Sequence, residues 1–103
     1  MKTLFIKRKF LELILAGKKS VEVRVCYPSL ANLKARDKIL FNRQYPFRIK
    51  RVSRYADFDE LLDNEDLKEI YPGKRKDELL HELRRLYPPE KESLGVMAIE
   101  IEK

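Results

Sequence analysis

The residues with the clearest chemical potential lie in one short stretch, Gly17 to Arg24. A helical pattern ends at Gly17, a residue type common where a helix closes in a left-handed conformation. Residues 20–25 then alternate between polar and apolar, which predicts a strand. On that strand Glu22 and Arg24 leave the same face, roughly 6.5–7 Å apart, and Lys19 lies at its entry. The three side chains are therefore expected to form a compact ionic group beside the end of the helix.

This ionic group has two interpretations. Two cations can hold a phosphate, and a carboxylate between them can orient the cations or accept hydrogen bonds from a base or a sugar hydroxyl. Alternatively, the same residues form cross-strand ion pairs on a solvent face and only stabilise the sheet. The spacing of the residues is equally compatible with both interpretations.

Positive charge is concentrated in the first half of the chain. The 103 residues contain 23 Lys and Arg against 17 Asp and Glu, a formal net charge of +6. Residues 1–55 hold 15 of the cations and three of the acids, whereas residues 56–70 hold seven acids and one lysine. This asymmetry favours an anionic partner. The other interpretation is a surface rich in salt bridges, as in thermophilic proteins.

Three tyrosines, Tyr27, Tyr45 and Tyr55, are interleaved in the sequence with these cations. Bases stack on aromatic rings, each contributing about 1–3 kcal/mol, while Lys and Arg follow the phosphates. For any one of these side chains the alternative is a role in the core or in the solvated surface. The candidate nucleic-acid-binding residues are Lys19, Glu22, Arg24, Lys18, Tyr27, Arg48, Lys50, Arg51 and Arg54.

Several other classes of site are not expected. A single cysteine, Cys26, excludes an internal disulfide and favours a reducing compartment. No pair of Cys or His has metal-ligand spacing and no Gly-rich phosphate loop is present, so we expect no metal and no cofactor. The only histidine, His81, falls on the polar face of its predicted helix. Neither a signal peptide nor a membrane span is expected, and the default prediction is a cytoplasmic monomer.

The hydrophobic periodicity predicts one α+β domain over residues 1–103. Five short strands at this spacing suit a small barrel of five or six strands, with a helix after the first strand and a helical insertion before the last. A change of parity predicts a β-bulge near Lys50 and Arg51. The predicted strands are Thr3–Lys7, Ser20–Val25, Asp37–Asn42, Phe47–Tyr55 and Leu94–Glu102. The predicted helices are Arg8–Ala16, two short ones capped by Asp57 and Asn64, and Lys76–Tyr87.

At Gly17, Lys19, Glu22 and Arg24 the sequence resembles the GxKxxExR motif of the ASCH domain, a family related to the RNA-binding PUA domains. The order of elements is also similar, so the resemblance extends over the whole chain, as in small stand-alone prokaryotic and archaeal members. It implies a PUA-like β-barrel in which Lys19, Glu22 and Arg24 line a cleft for RNA or a nucleotide. One departure is Arg36-Asp37, where the family often has Gly-Asp.

The resemblance also implies an enzymatic alternative. One bacterial branch of the family is an amidohydrolase of acetylated cytidine, and there the motif lysine, here Lys19, is catalytic. A hydroxyl residue of that branch is replaced here by Glu22, which could act as a general base only with a suitable pKa. The sequence thus favours an RNA-binding module, with a nucleoside amidohydrolase as the alternative. A second alternative is a protein-interaction module that binds its partner through the acidic segment 57–69.

Overall fold

The computed structural model describes all 103 residues and has an α+β architecture, which confirms the predicted class. A single turn of 3₁₀ helix, Pro28–Leu30, lies in the loop after the second strand. The strands are β1 (Lys2–Leu4), β2 (Val21–Val25), β3 (Lys38–Phe41), β4 (Tyr45–Tyr55) and β5 (Val96–Glu102). The helices are α1 (Arg8–Leu15), α2 (Phe58–Asn64), α3 (Leu67–Ile70), α4 (Lys76–Leu86) and α5 (Pro89–Glu92).

The five strands form one curled sheet, a half-barrel with the order β1-β3-β4-β5-β2. Strands β1 and β3 are parallel, and the other neighbours are antiparallel. The register between β4 and β5 shifts between Ile49 and Arg51, so the predicted bulge is confirmed. Strands β1 and β2 are the two edges of the sheet and do not pair with each other. The half-barrel therefore keeps an open seam between these edges.

The sheet has an apolar cluster on each face. One cluster lies under α1 and contains Leu11, Ile14, Met97 and Ile99. The other lies under α2, α3 and α4 and contains the β2 valines and members of those helices. Strand β5 is buried on both faces, because Met97, Ile99 and Ile101 belong to the first cluster and Val96 and Ala98 to the second. The second cluster holds β2 through its valines, and the alternate residues Glu22 and Arg24 are directed toward the seam.

Local signals account for most element boundaries, with two corrections. Gly17 has φ +75° at the end of α1, and the Asp57 side chain accepts a hydrogen bond from the Glu60 N–H at the start of α2, both as expected. The predicted strand Thr3–Lys7 is too long. Beyond Leu4 the chain leaves the ladder, and the side-chain amide of Asn42 pairs with both backbone groups of Ile6.

The second correction concerns the cap of α3. Asn64 was expected to cap this helix, but it is the last residue of α2, and its side chain donates to the Glu60 carbonyl at 2.8 Å. Asp66 caps α3 instead, accepting from the Lys68 N–H. Helix α5, which begins at Pro89, is not among the predicted helices. No helix has the length and apolar character needed to cross a membrane.

Candidate functional site

A cleft of about 220 Å³ lies at the open seam of the half-barrel, and we call it the seam cleft. Its floor is β2, one wall is the segment 5–10 that follows β1 and begins α1, and the other wall is contributed by residues 70–87. The three charged residues of the motif, Lys19, Glu22 and Arg24, are all among the lining residues. The lining residues are Phe5, Ile6, Lys7, Phe10, Lys19, Glu22, Val23, Arg24, Ile70, Tyr71, Leu79, Glu82, Leu83, Leu86 and Tyr87.

Lys19 lies at the base of the cleft and is only 4% exposed. Its ammonium donates to the carbonyl of Val21 at 2.5 Å and to that of Ile70 at 2.9 Å, and lies 3.3 Å from Glu22 Oε1. Three N–H donors thus meet three acceptors within the protein. Burial lowers the pKa of Lys19, and the Glu22 carboxylate partly opposes this effect. The lysine therefore joins β2 to the end of α3 and orients Glu22.

Glu22 connects the two cations. It is 8% exposed, and its Oε2 accepts from Arg24 Nε at 2.7 Å while its Oε1 faces Lys19. Arg24 also donates through Nη2 to the carbonyl of Phe5 at 2.7 Å, which bridges β2 to the segment after β1 across the seam. Its Nη1 has no hydrogen-bond partner in the protein. An ionised carboxylate has about four acceptor positions, so Glu22 also retains capacity for further donors.

Aromatic rings form the walls. Phe10 and Tyr71 meet edge to face with centroids 5.6 Å apart, and Lys19 Nζ lies 5.9 Å from the Phe10 centroid. Tyr87 packs on Phe58 from the second cluster, and burial raises the pKa of the Tyr87 hydroxyl. That hydroxyl therefore stays protonated and able to donate. These aromatic residues were missed as site residues, although the sequence has Tyr-Pro after both α3 and α4.

Additional cations stand next to the cleft. Lys7 lines it, and an adjoining groove is lined by Lys7, Lys9, Phe10, Glu82, Arg85 and Leu86. The outer lips are apolar, since Phe5 is 62% and Leu86 56% exposed. The cations beside the cleft thus come from α1 and from the last turn of α4. The candidate set from the sequence did not include them.

Other candidate residues lie outside the cleft lining. Lys18 is exposed on the turn after α1. Tyr27 is half-buried, with its ring 6.5 Å from that of Tyr87 and beneath Lys91. Arg48 and Lys50 are exposed on β4 and line a separate groove that shares no residue with the seam cleft. The structure thus brings together Lys19, Glu22 and Arg24, but not the whole predicted set.

Arg51 and Arg54 are engaged with the protein itself. The Arg51 guanidinium forms a two-point pair with Glu65 at 2.7 and 2.9 Å and also contacts Glu100 at 2.9 Å. These hydrogen bonds lower the pKa of Glu65. Arg54 donates to the carbonyls of Ala31 and Leu33 and so fixes the loop before β3. Both arginines hold loops and helices against β4 in this structure.

The remaining sequence features have local structural settings. Within the acidic segment, Asp59 and Asp63 pair with Lys76 at 2.8 and 2.6 Å. Part of the negative charge of this segment is therefore neutralised by an ion pair between α2 and α4. His81 is exposed on α4. Cys26 is half-buried, and burial raises the pKa of its thiol. No group of three or more His, Cys, Asp or Glu residues is arranged to hold a metal ion.

Comparison with known proteins identifies the fold and the family. A model of the ASCH domain matches residues 4–103. The chain belongs to the ASCH domain family. The family that the sequence analysis predicted is thereby confirmed, and domains with this PUA-like fold often bind RNA. None of the curated proteins matches the chain.

Two solved structures share the fold of this ASCH domain. The crystal structure of hypothetical protein PH0355 is 34% identical, with a TM-score of 0.92, and the match covers 99% of this chain and 98% of that chain. The solution NMR structure of protein PF0455 from Pyrococcus furiosus is 36% identical, with a TM-score of 0.80, covering 98% and 94% of the two chains. These matches confirm the predicted PUA-like fold along essentially the whole chain.

Proposed function

We propose that this ASCH domain is an RNA-binding module whose seam cleft takes one base or nucleotide of the bound strand. One observation carries the proposal: a carboxylate and a guanidinium with unused hydrogen-bonding capacity meet aromatic walls in a cleft of about 220 Å³. Pockets for drug-sized ligands have roughly 300–1,000 Å³, so this volume suits a single nucleoside. Single-stranded RNA is generally recognised through splayed bases that stack and are read along their edges.

Each motif residue has a separate role in this proposal. Arg24 Nη1 donates to the ligand, and Glu22 accepts from an amino group of a base or from a ribose hydroxyl. Lys19 does not contact the ligand, because its donors are already used within the protein. It is a positioning residue that holds Glu22 in place. The aromatic walls stack on the base, and Lys7, Lys9 and Arg85 lie where flanking phosphates would pass.

Loss of one aromatic wall tests the proposal. The probe is a fluorescein-labelled 20-nucleotide single-stranded RNA of mixed sequence, with binding followed by fluorescence anisotropy. Removing one stacked base contact costs about 1–3 kcal/mol, so Tyr71→Leu should weaken binding roughly 5- to 150-fold. Tyr45→Leu is the matched control, since Tyr45 is also half-buried but packs on the first apolar cluster, outside the cleft. Equal affinities of these two variants for the RNA would refute the cleft as the binding site.

A second test uses the ionic group. Arg24→Gln removes the free Nη1 donor while the Lys19–Glu22 pair remains, and we expect weaker RNA binding with little change in the protein's circular dichroism spectrum. Lys18→Gln removes an exposed cation close by in the sequence but outside the cleft, and serves as the control. If both variants bind RNA as the unmodified protein does, Arg24 does not contact the ligand.

Hydrolysis of an acetylated nucleoside is the second candidate function, supported by the burial that lowers the pKa of Lys19 beside Glu22. The three acceptors around the Lys19 ammonium oppose it, because a nucleophilic amine needs a free lone pair. Acetate release from N4-acetylcytidine, followed by proton NMR, tests this activity. Turnover that is lost in Glu22→Gln would support hydrolysis, and absence of turnover at high protein concentration would exclude this substrate.

A further inference from the structure

We propose that a second surface, separate from the seam cleft, binds the phosphates of the same RNA. It consists of Arg36, Lys38, Arg48 and Lys50, and we call it the β3–β4 basic face. The proposal rests on RNA being the ligand, as proposed above, but it concerns different atoms of that ligand. All four side chains are exposed and line one groove with Ala35, Ile49 and Glu102, none of which lines the seam cleft.

Three of the four cations of this face form no salt bridge within the protein. Arg36, Lys38 and Arg48 form no salt bridge, and Lys50 only approaches Glu100 at 3.8 Å. This contrasts with Arg51 on the same strand, whose guanidinium is held by two carboxylates. The face therefore presents four exposed cations beside two acids, Glu100 near Lys50 and Glu102, which is the direct partner of Arg48 on β5. Its charge complements a polyanion.

The strand register places two of these cations against each other. Lys38 on β3 is the direct partner of Arg48 on β4. Along β3 and β4 these cations alternate with Ile39, Phe47 and Ile49, which are buried. Lys38, Arg48 and Lys50 therefore all point outward from the same side of the sheet. Like charges directly opposite each other destabilise a sheet. Glu102, opposite Arg48 on β5, offsets part of this repulsion, and a bound phosphate would offset more of it.

The backbone at Arg36 adds a second unfavourable feature. Arg36 has φ +77°, in the left-handed region that favours glycine. Its N–H donates to the Ile49 carbonyl at 2.7 Å, and the Ile49 N–H donates to the Asp37 carbonyl at 2.8 Å, next to the bulge of β4. These hydrogen bonds hold Arg36 beside the strand that carries Arg48 and Lys50. The exposed arginine side chain makes no hydrogen bond and no salt bridge in the protein, so its guanidinium is available to a ligand.

The face also extends along two neighbouring strands. Residues two apart on one strand are roughly 6.5–7 Å apart, and neighbouring strands are about 4.8 Å apart. Arg48 and Lys50 can therefore contact successive phosphates of an RNA that runs along β4. Lys38 and Arg36 then contact the backbone of the same RNA from the neighbouring β3 side of the groove. Such contacts are independent of base sequence, because they reach only the backbone. The seam cleft reads a base, and the β3–β4 basic face holds another part of the chain.

The test compares Arg48→Gln/Lys50→Gln with a matched control. The control is Lys68→Gln/Arg75→Gln, which removes one lysine and one arginine, both exposed in the helical insertion. Binding of the 20-nucleotide RNA is measured between 0.1 and 0.4 M KCl. Each lost phosphate contact on single-stranded nucleic acid reduces the slope of log K against log salt by about 0.7. The slope should fall by about 1.4 and the affinity at 0.1 M by about 25-fold, whereas the control should keep the slope of the unmodified protein.

Binding of this RNA by both sets of variants distinguishes failure of this proposal from failure of the seam cleft as the binding site. If Tyr71→Leu weakens binding while Arg48→Gln/Lys50→Gln matches its control, the β3–β4 basic face is refuted and the cleft is retained. The opposite pattern retains the face and refutes the cleft. When both are correct, combining the three substitutions should give additive losses, since the two surfaces share no residue. A protein that binds no RNA at any salt concentration overturns both proposals.

Discussion

Replacement of Lys19 by methionine tests whether this lysine is part of the fold or free to meet a ligand. Methionine keeps most of the unbranched apolar stem and removes the charge and all three donors. In the structure the ammonium contacts the Val21 and Ile70 carbonyls and the Glu22 carboxylate, with 3% of the side chain exposed. The substitution therefore leaves a carboxylate that is about 10% exposed with Arg24 as its only cationic partner.

The expected loss of stability follows from this burial. Removing one partner of a buried ion pair costs about 3–5 kcal/mol, because the remaining charge is left without compensation. Here Arg24 still pairs with Glu22, which reduces the cost, but two carbonyls also lose a charged donor, each worth about 1.5–3 kcal/mol. The ammonium no longer has to be desolvated, which offsets part of the loss. We therefore expect the free energy of unfolding to fall by about 3–5 kcal/mol, a large part of the total for a domain of this size.

Urea unfolding followed by circular dichroism measures this change. Lys18→Met is the matched control, since Lys18 is the exposed neighbour and should change stability by less than about 0.5 kcal/mol. Glu22→Gln added to Lys19→Met removes the uncompensated charge, so the double variant should lose less than the sum of the single losses, by about 0.5–3 kcal/mol. If Lys19→Met is as stable as Lys18→Met, the ammonium is not held by the fold, and the positioning role assigned to Lys19 is wrong.

Two further predictions concern residues away from the cleft. Arg36→Gly should raise the free energy of unfolding, measured in urea, by about 0.5–1 kcal/mol. A left-handed φ costs an L-residue roughly 1–2 kcal/mol, and the chain entropy that glycine loses on folding offsets about 0.5–1 kcal/mol of this gain. No gain in stability would show that the Arg36 side chain stabilises the fold. Glu65→Gln should cost about 1.5–3 kcal/mol at pH 7 through its hydrogen bonds to Arg51. Because the pKa of Glu65 is lowered in the folded state, this contribution is present above its ordinary value of 4.5 and is lost as the pH falls through the folded value. Thermal unfolding from pH 7 to pH 2 should therefore show the two proteins converging in acid, and a constant difference would contradict the assignment.

The sequence was sufficient for the class of fold and for the centre of the candidate site. Strict alternation over residues 20–25 places Glu22 and Arg24 on one face of a strand, because the side-chain period of a strand is two. Gly17 marks the end of the preceding helix, since its φ of +75° is unfavourable for other residues. Both signals are local, and neither depends on how distant parts of the chain pack.

The walls of the cleft could not be predicted in the same way. Phe10 and Tyr71 are 61 positions apart, and they meet only because α1 and the end of α3 approach the seam from opposite sides. The buried ammonium of Lys19 donates to the Ile70 carbonyl, which is 51 positions away in the sequence. Nothing in the pattern around Lys19 distinguishes a buried lysine from an exposed one. For the same reason the sequence analysis included Arg51 and Arg54 among the candidate RNA-binding residues. In the structure Arg51 pairs with Glu65, and Arg54 donates to carbonyls of the loop before β3.

The ionic group at the seam links the stability of the half-barrel to its proposed function. Strands β1 and β2 have no backbone hydrogen bonds between them, and the bond from Arg24 to the Phe5 carbonyl is made across that gap by a side chain. A side chain can exchange partners without breaking a strand ladder, whereas backbone groups of paired strands cannot. In the proposed function, the ligand enters where the sheet is open and contacts the Arg24 guanidinium. Glu22 already orients this guanidinium, and Lys19 holds Glu22. Under the proposed function, binding at this position would require no rearrangement of the strands, because the buried lysine already holds Glu22 in place and Glu22 holds Arg24.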